Sequence, residues 1–304
     1  MRPDVYPSDS LFRGDPPPLG DHAHCMLAEG DSWFTIGSMN FFAASNLLFM
    51  LELAQWTAIV NCAYPGDTMR HVVDRINDPY FDRFLRKPNF SRRWDAILLS
   101  VGGNDLIDAA QTPTINRAGT PIAPENRLLL TPAEAGQINP GVAGPARFVS
   151  EPAWQKLADY LSANFRELAS RRDQGRSANR PICVHTYHVP VVRPSGAVTS
   201  PTGWLHPAMV EKDIPAEDRQ GLADELFERL RTLLLGFDSA TGSHPIAQFC
   251  VFDSARLVPL TPAQPDESGS SGDWVNEIHP TPAGYRKIGA AMGPWLDAVL
   301  ARNS

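Results

Sequence analysis

The chain has 304 residues, 43% of them hydrophobic, and a formal net charge of −7. This length and apolar content suffice for one large core, and the acidic, interspersed charges leave no basic stripe for nucleic acid. The sequence therefore predicts a globular protein that does not bind nucleic acid.

Residues 1–22 are predicted to form a polar, proline-rich arm in front of a single domain that spans residues 23–304. The arm has no apolar stretch of the signal-peptide type. The most apolar segment, Phe41–Ala54, is interrupted by Asn46 and Glu52 and is shorter than the ~20 residues that a membrane span needs. We therefore expect a cytoplasmic protein without stable membrane insertion, although a leader that had been removed would leave no trace here.

Five short apolar runs follow the arm, and each is nearly continuous, as is typical of parallel strands covered on both faces. They are His24–Glu29, Trp56–Ala63, Ala96–Val101, Pro181–Tyr187 and Ala247–Asp253. All four cysteines lie in or beside these runs. Their even number permits two disulfides, but the absence of CxxC or metal-like spacing favours buried free thiols.

Helical patterns alternate with these strands. They cover Thr35–Leu53, Asp67–Asn77, Glu151–Ser170, Pro215–Leu235 and Pro282–Leu300. Repeated strand–helix alternation predicts an α/β protein, a three-layer α/β/α sandwich around a five-stranded parallel sheet. Right-handed crossovers then bring the carboxyl ends of the strands to one edge, where the active sites of open sheets collect.

Two long insertions interrupt the alternation, at residues 111–150 and 193–214. Because both leave from carboxyl ends of strands, we expect them to wall or cover the active cleft. The alternative is that they decorate the surface far from the site. Their apolar residues, Leu128–Leu130 and Trp204, favour an acyl or aromatic group over a bare polysaccharide as the ligand.

The first candidate motif, Gly30-Asp31-Ser32-Trp33, comes directly after the first predicted strand. There the N–H of Ser32 would lie among the free donors of a helix start, which favour negative charge. Taken alone, the motif is better explained by Asp31 or Ser32 capping the helix.

Three further segments lie at the ends of other strands. A glycine turn at Gly66 follows the second strand, and two glycines and Asn104 follow the third. The Asn104 amide is a neutral donor that is able to meet an oxyanion. His279 stands just before the last helix, with Thr281 as its predicted N-cap and Pro282 at its first position.

The order and spacing of Gly30-Asp31-Ser32, Gly66, Gly103-Asn104-Asp105 and His279 resemble those of the SGNH, or GDSL, hydrolase family over nearly the whole chain. The resemblance implies a flavodoxin-like sheet and ester hydrolysis through an acyl-enzyme, without a metal or another cofactor. It also implies that Ser32 is the nucleophile and His279 the general base. The Ser32 N–H, the Gly66 N–H and the Asn104 amide would then form the oxyanion hole.

The chain departs from the family pattern at one position, since Asn276 stands where an aspartate is usual, three residues before the histidine. An asparagine can accept the Nδ1–H of histidine and fix its tautomer, but it supplies no charge to the imidazolium. Asn276 could therefore orient His279 unaided. Alternatively Asp273, or less readily Glu277, supplies the charge, or the site is impaired.

Asp31, Trp33 and His188 complete the predicted site as substrate-binding residues. Trp33 could instead pack under the first helix, and His185 and His188 could instead be surface or supporting histidines. A metal pair is disfavoured because no carboxylate or cysteine stands at a suitable spacing, and HExxH, GxxxxGK and GxGxxG motifs are absent.

The sequence thus predicts a serine esterase that acts on a small-molecule or acyl ester. Two other functions stay open: a binding module with the same fold and an inactive site, and acyl transfer to an alcohol instead of water. Neither the natural ester nor the oligomeric state follows from the sequence.

Overall fold

The computed structural model describes residues 1–35, 45–73, 79–197, 201–265 and 267–303. Within these ranges, six parallel strands form one sheet in the order β1-β3-β2-β4-β5-β6. The strands are β1 (Asp4–Pro7), β2 (His24–Gly30), β3 (Thr57–Asn61), β4 (Ala96–Ser100), β5 (Ile182–His185) and β6 (Phe249–Phe252).

Apart from β1, the sheet has the flavodoxin-like strand order 2-1-3-4-5. Every residue of the central strand β4 is buried, as expected for a strand covered by helices on both faces. The predicted α/β fold and all five predicted strands are therefore confirmed.

The prediction of five strands was nevertheless one short, because the N-terminal arm is part of the sheet. β1 pairs with the free edge of β3, with Asp4 opposite Ala58. The carboxylate of Asp4 also accepts a 2.7 Å hydrogen bond from the indole of Trp56 and lies 3.0 Å from a ring nitrogen of His22. Three residues between Pro3 and Pro7 give too short an apolar pattern to indicate a strand, and the pairing edge comes from elsewhere in the chain.

The helices in the described ranges are α1 (Leu47–Met50), α2 (Met69–Val73), α3 (Pro79–Arg86), α4 (Gly103–Gln111), α5 (Pro132–Ile138), α6 (Glu151–Asp173), α7 (Leu205–Glu211), α8 (Ala216–Gly236), α9 (Ser254–Leu257) and α10 (Pro282–Arg302). Short 3-10 helices cover Ser8–Phe12, Leu19–Asp21, Pro124–Asn126 and Pro145–Phe148. Throughout the described part of the chain, no helix is both long enough and apolar enough to cross a membrane.

The three long predicted helices correspond closely to α6, α8 and α10. The helix predicted over Thr35–Leu53 is wrong at its carboxyl end, where only Leu47–Met50 is helical. Residues 36–44 of that prediction, and residues 74–78 of the second predicted helix, lie outside the described residues. All four cysteines are free thiols, but only Cys183 is fully buried.

The insertion at residues 111–150 does not cover the cleft as expected. It packs against the long helices, where Arg147 pairs with Asp218 at the start of α8 and Lys156 of α6 donates to the Glu125 carbonyl. Leu128–Leu130 are buried in the hydrophobic core, so they do not line a ligand pocket as the sequence suggested.

Candidate active site

Ser32 lies at the carboxyl edge of the sheet because β2 ends abruptly at Gly30. Gly30 has φ = 146°, and a Cβ there would stand 2.3 Å from the Ser100 carbonyl oxygen, so no larger residue fits. The next N–H, that of Asp31, donates to the same carbonyl at 2.9 Å. Ser32 follows in a turn in which the Phe34 N–H donates to the Asp31 carbonyl.

His279 is brought to the same edge by the start of α10. The Thr281 hydroxyl accepts a hydrogen bond from the Gly284 N–H, and Pro282 occupies the first turn, as predicted for this N-terminus. His279 Nε2 lies 2.7 Å from Ser32 Oγ, although 247 positions separate the two residues. The nucleophile and base suggested by the sequence are thus in hydrogen-bond contact.

Asn276 holds the other nitrogen of the imidazole. Its Oδ1 accepts the N–H groups of Ile278 and His279 at 3.1 and 2.9 Å and lies 3.0 Å from His279 Nδ1. An atom toward which two backbone N–H groups point must be the amide oxygen, so Nδ1 carries the proton. Nε2 is then the lone-pair nitrogen that accepts from Ser32. Burial lowers the pKa of His279 to about 4, which keeps the ring neutral near pH 7.

Asp273 is not placed at His279, contrary to one of the sequence-based alternatives. Its Oδ2 accepts hydrogen bonds of 2.6 Å from Lys287 Nζ and from the Thr261 N–H. Burial alone would raise the pKa of Asp273, but these two donors outweigh it and hold the pKa below its ordinary value. Asp273 therefore stabilises the loop before His279 and supplies no charge to the ring.

Glu277 also points away from the imidazole and instead anchors the second insertion. Its buried carboxylate accepts the N–H groups of Leu205 and His206, both at 2.9 Å, as well as that of Trp204. Gly203, at φ = 90°, makes this approach feasible, since a Cβ there would lie 2.6 Å from Glu277 Oε2. Burial raises the pKa of Glu277 to about 6.

This anchoring brings the second insertion into contact with His279. The Trp204 ring contacts the His279 ring edge-to-face, with 5.4 Å between centroids and 80° between planes. Arg193, which is fully buried, donates from Nη2 to the Asn276 carbonyl at 3.1 Å. The insertion at 193–214 thus walls the site as expected.

Buried polar side chains hold Asp31, the residue directly before Ser32. Asp31 Oδ1 lies 2.7 Å from Ser100 Oγ and accepts the Trp33 N–H at 2.9 Å, while Oδ2 accepts from the Tyr187 hydroxyl at 2.6 Å. Ser100 Oγ also lies 3.0 Å from His185 Nε2. We call Asp31, Ser100, Tyr187 and His185 the buried network.

The single proton of the Ser100 hydroxyl is shared among three neighbours in the buried network. Ser100 Oγ lies 2.7 Å from Asp31 Oδ1, 3.0 Å from His185 Nε2 and 3.1 Å from the Tyr187 hydroxyl. His185 Nδ1 lies 3.0 Å from the Thr186 carbonyl, which only accepts, so Nδ1 carries a proton and Nε2 of the neutral ring is an acceptor. Burial raises the pKa of Asp31 to about 6 and lowers that of His185 to about 4, so Asp31 is the first of the two to take up a proton as the pH falls.

Asn104 lies near the start of α4 and borders the same cavity as Ser32. Its Nδ2 donates to the Asp67 carbonyl at 3.0 Å, which fixes the amide and leaves its second N–H for a ligand. Asp67 follows Gly66, a turn residue at φ = 84°, so the two predicted oxyanion-hole segments are adjacent. Asn104 borders the cavity beside Ser32; Gly66 is not among the residues that line it.

That cavity is small, about 20 Å³, which is room for one or two water-sized groups. Its walls come from β2, α4, the segment after β5, α8 and the loop before His279. The lining residues are Asp31, Ser32, Trp33, Gly103, Asn104, Ile107, Tyr187, His188, Pro190, Phe227 and Ile278. All three predicted substrate-binding residues thus border one space.

Trp33 both packs and lines the cavity. Its indole N–H donates to the Ile278 carbonyl at 3.2 Å, and its ring stacks on His185 at 5.2 Å. His185 and His188 are buried, so the surface alternative for them is wrong. Burial lowers the pKa of His188 to about 4, with His185 adding to the effect.

Sequence reasoning missed Ser100, Tyr187 and the contact between Glu277 and the second insertion. Ser100 and Tyr187 belong to apolar strand patterns in which a single hydroxyl carries no positional signal. Glu277 was considered only as a partner of His279. Its true partners lie more than 70 positions away, and nothing local in the sequence indicates that separation.

The sequence matches no protein-family model and no curated protein. Among solved structures, it is similar to an extracellular lipase from Streptomyces rimosus, with a TM-score of 0.47, 14% identity, and coverage of 93% of this chain and 100% of that one. It is also similar to a phospholipase A1 from Streptomyces albidoflavus NA297, with a TM-score of 0.42, 14% identity, and coverage of 93% of this chain and 100% of that one. The acetylxylan esterase Axe2 from Geobacillus stearothermophilus is a third similar structure, with a TM-score of 0.36, 12% identity, and coverage of 92% of this chain and 94% of that one.

Proposed function

We propose that the protein is a serine ester hydrolase of the SGNH type that works through an acyl-enzyme and needs no cofactor. The observation that carries the proposal is the 2.7 Å contact between Ser32 Oγ and His279 Nε2. An unprotonated imidazole nitrogen at that distance is what a serine needs to become a nucleophile. The hydrogen bond from His279 Nδ1 to Asn276 gives the ring the required tautomer.

In the acylation step, Ser32 Oγ attacks the ester carbonyl carbon while its proton passes to His279 Nε2. The C–O bond to the alcohol then breaks, and the imidazolium returns the proton to the departing oxygen. In deacylation, water attacks the acyl-enzyme by the same proton route and releases the acid and free Ser32. The products are one acid and one alcohol for each water consumed.

The tetrahedral intermediates carry a negative oxygen that needs donors on the side of Ser32 away from His279. We assign this task to the free N–H of Asn104, helped by the backbone N–H groups of Ser32 and Gly66. Losing one such donor costs about 3–4 kcal/mol of transition-state stabilisation.

The experiment is to compare the wild-type protein with Ser32→Ala on p-nitrophenyl acetate and on a fluorophosphonate probe. We expect Ser32→Ala to lose turnover by at least about 10³-fold and to lose the covalent adduct. Ser170→Ala, an exposed serine on α6, is the matched control and keeps both.

Two results would count against the proposal. Turnover at the wild-type level in Ser32→Ala would remove Ser32 as the nucleophile. A wild-type protein that forms no adduct and cleaves no ester would instead favour a binding module with an inactive site.

A further inference from the structure

The cavity beside Ser32 fits the acyl part of an ester better than the alcohol. It is bordered by Ser32 and Asn104, which would hold the carbonyl, but His279 is not among its lining residues. The departing oxygen must lie within reach of His279 Nε2 to receive its proton. The alcohol is therefore directed toward His279 and Trp204, and the acyl group toward the cavity.

The size of the cavity limits the acyl group to a short one. Its volume of about 20 Å³ accepts one or two water-sized groups beyond the carbonyl carbon. The apolar walls of Ile107 and Phe227 belong to α4 and α8, and both side chains are buried in the core. Longer chains would have to displace packed side chains, which is unfavourable.

One side chain in this wall is polar and without a partner. His188 is 7% exposed, and its Nε2 is buried without a hydrogen-bond partner among the described residues. The His188 ring stacks on Trp33, with 6.5 Å between centroids and 20° between planes. A buried polar atom normally finds a partner, from protein, water or ligand.

Since its pKa is depressed to about 4, His188 is neutral near pH 7 and offers one N–H donor and one lone pair. A neutral ring of this kind suits an uncharged hydrogen-bonding group. A carboxylate would find no cation among the residues that line the cavity. A substrate hydroxyl would supply the partner that Nε2 of His188 lacks among the described residues.

We propose that the cavity is an acyl-specificity site for a two-carbon acyl group whose second carbon carries a hydroxyl, with His188 as its hydrogen-bond partner. This rests on the proposed ester hydrolysis and names its substrate class as short hydroxyacyl esters. The hydroxyl replaces a methyl group of equal size, so the site selects by hydrogen bonding as well as by volume.

The test uses the p-nitrophenyl esters of glycolic and propionic acid, which differ only in OH against CH3 at the same position. The kcat/KM of each is divided by its uncatalysed hydrolysis rate, because the hydroxyl itself activates the ester. We expect the corrected value to be about 2–10-fold higher for glycolate, which is the worth of one neutral hydrogen bond. Butyrate and hexanoate should be at least about 5-fold poorer than propionate.

His188→Phe, which keeps a ring but removes both nitrogens, should bring the glycolate-to-propionate ratio to about 1. His244→Phe makes the same change at an exposed position and should keep the wild-type ratio. If His188→Phe does not fold, the wild-type ratio and the chain-length series decide the question alone.

A corrected wild-type ratio of 1 or less, a ratio that survives in His188→Phe, or best turnover of hexanoate would overturn the inference. Ester hydrolysis by Ser32 would still stand in each of these cases. If no ester is cleaved and the fluorophosphonate does not react, the proposed function and this inference fail together.

Discussion

Ser32 and His279, the proposed nucleophile and base, are held in two different ways. Ser32 rests on the buried network, whose members lie at the ends of β2, β4 and β5 or just beyond. His279 lies in a loop, and its partners Asn276 and Trp204 are positioned by other loop residues, above all Glu277 and Arg193. One support is thus part of the sheet, and the other is a set of contacts between irregular segments.

Because of this difference, we expect substitutions in the sheet support to change mainly the folding free energy, and substitutions in the loop support to change mainly the rate of ester hydrolysis. Removing a polar group from the sheet support leaves buried partners unsatisfied, which costs folding free energy. Removing one from the loop support disturbs the histidine while most of the core stays intact. We therefore expect changes around Ser32 to lower the unfolding temperature and changes around His279 to lower kcat.

The largest expected effect is that of Asn276→Ala. The ring would lose the acceptor that selects the tautomer, and kcat/KM should fall by about 10²–10⁴-fold, as for other changes at this position of a catalytic triad. Activity on p-nitrophenyl acetate and thermal unfolding should be measured together. Asn126→Ala, at an exposed position, is the control. A loss of less than about fivefold would show that Asn276 does not position His279.

Ser100→Ala tests the sheet support. Asp31 and His185 would both lose a buried partner, and we expect the free energy of unfolding to fall by about 1–3 kcal/mol. The rate should fall less than in Asn276→Ala, since the contact between Ser32 and His279 does not involve Ser100. Ser162→Ala is a matched control because that hydroxyl donates only within its own helix, to the Ala158 carbonyl. An unchanged unfolding temperature would show that the Ser100 hydroxyl does not stabilise the buried network.

The sequence predicted the positions of Ser32, Asn104 and His279 more fully than the contacts that support them, for a physical reason. Parallel strands bring their carboxyl ends together whatever the loops do, so short motifs after the strands placed Ser32, Asn104 and His279 at one edge. The pairing of β1 with β3 and the hydrogen bonds between Glu277 and the start of α7 join segments that are distant in the sequence. No periodicity or turn signal encodes such pairings, and the sequence could not indicate them.

The same dependence on distant contacts explains why the sequence could not distinguish the two insertions. Both are rich in proline, glycine and polar residues, and both leave from carboxyl ends of strands. Only the one at 193–214 reaches the site, because Glu277 offers acceptors to the N–H groups at the start of α7. Leu128–Leu130 belong to the core, which an apolar triplet alone does not distinguish from a pocket wall.

Glu277→Gln tests how the loop support depends on charge. The pKa of Glu277 is raised from 4.5 to about 6 by burial, so the folded state binds more protons than the unfolded state between these pH values. The contribution of Glu277 to stability is therefore complete below pH 4.5 and declines as pH rises through 6. Glutamine does not titrate, so its destabilising effect should shrink by about 2 kcal/mol from pH 4.5 to 7.

Thermal unfolding of the wild-type protein and of Glu277→Gln across that range measures the effect. Glu125→Gln makes the same change at an exposed position and is the control. A gap that widens toward pH 7 would mean that the charged carboxylate is the better partner for the α7 N–H groups.

Asn276→Asp has the smallest expected effect, a shift in the pH dependence of kcat/KM. In the wild-type protein, His279 is neutral down to about pH 4, because burial lowers its pKa and no carboxylate faces Nδ1. The acid limb of kcat/KM that belongs to His279 should therefore lie near pH 4. An ionised aspartate 3 Å from Nδ1 favours the imidazolium and raises this pKa.

The acid limb should thus move upward by about one pH unit, or roughly 1.4 kcal/mol. Arg193, whose guanidinium bonds the backbone of residue 276, helps to keep the new carboxylate ionised. Asp31 and Glu277, with pKa values near 6, and His185 and His188, near 4, titrate in the same range. Only the part of the pH profile of kcat/KM that belongs to the group in contact with position 276 should move between the wild-type protein and Asn276→Asp. If Asn126→Asp, which adds the same charge at the surface, moves the limb equally, the shift reports net charge and not the hydrogen bond to His279.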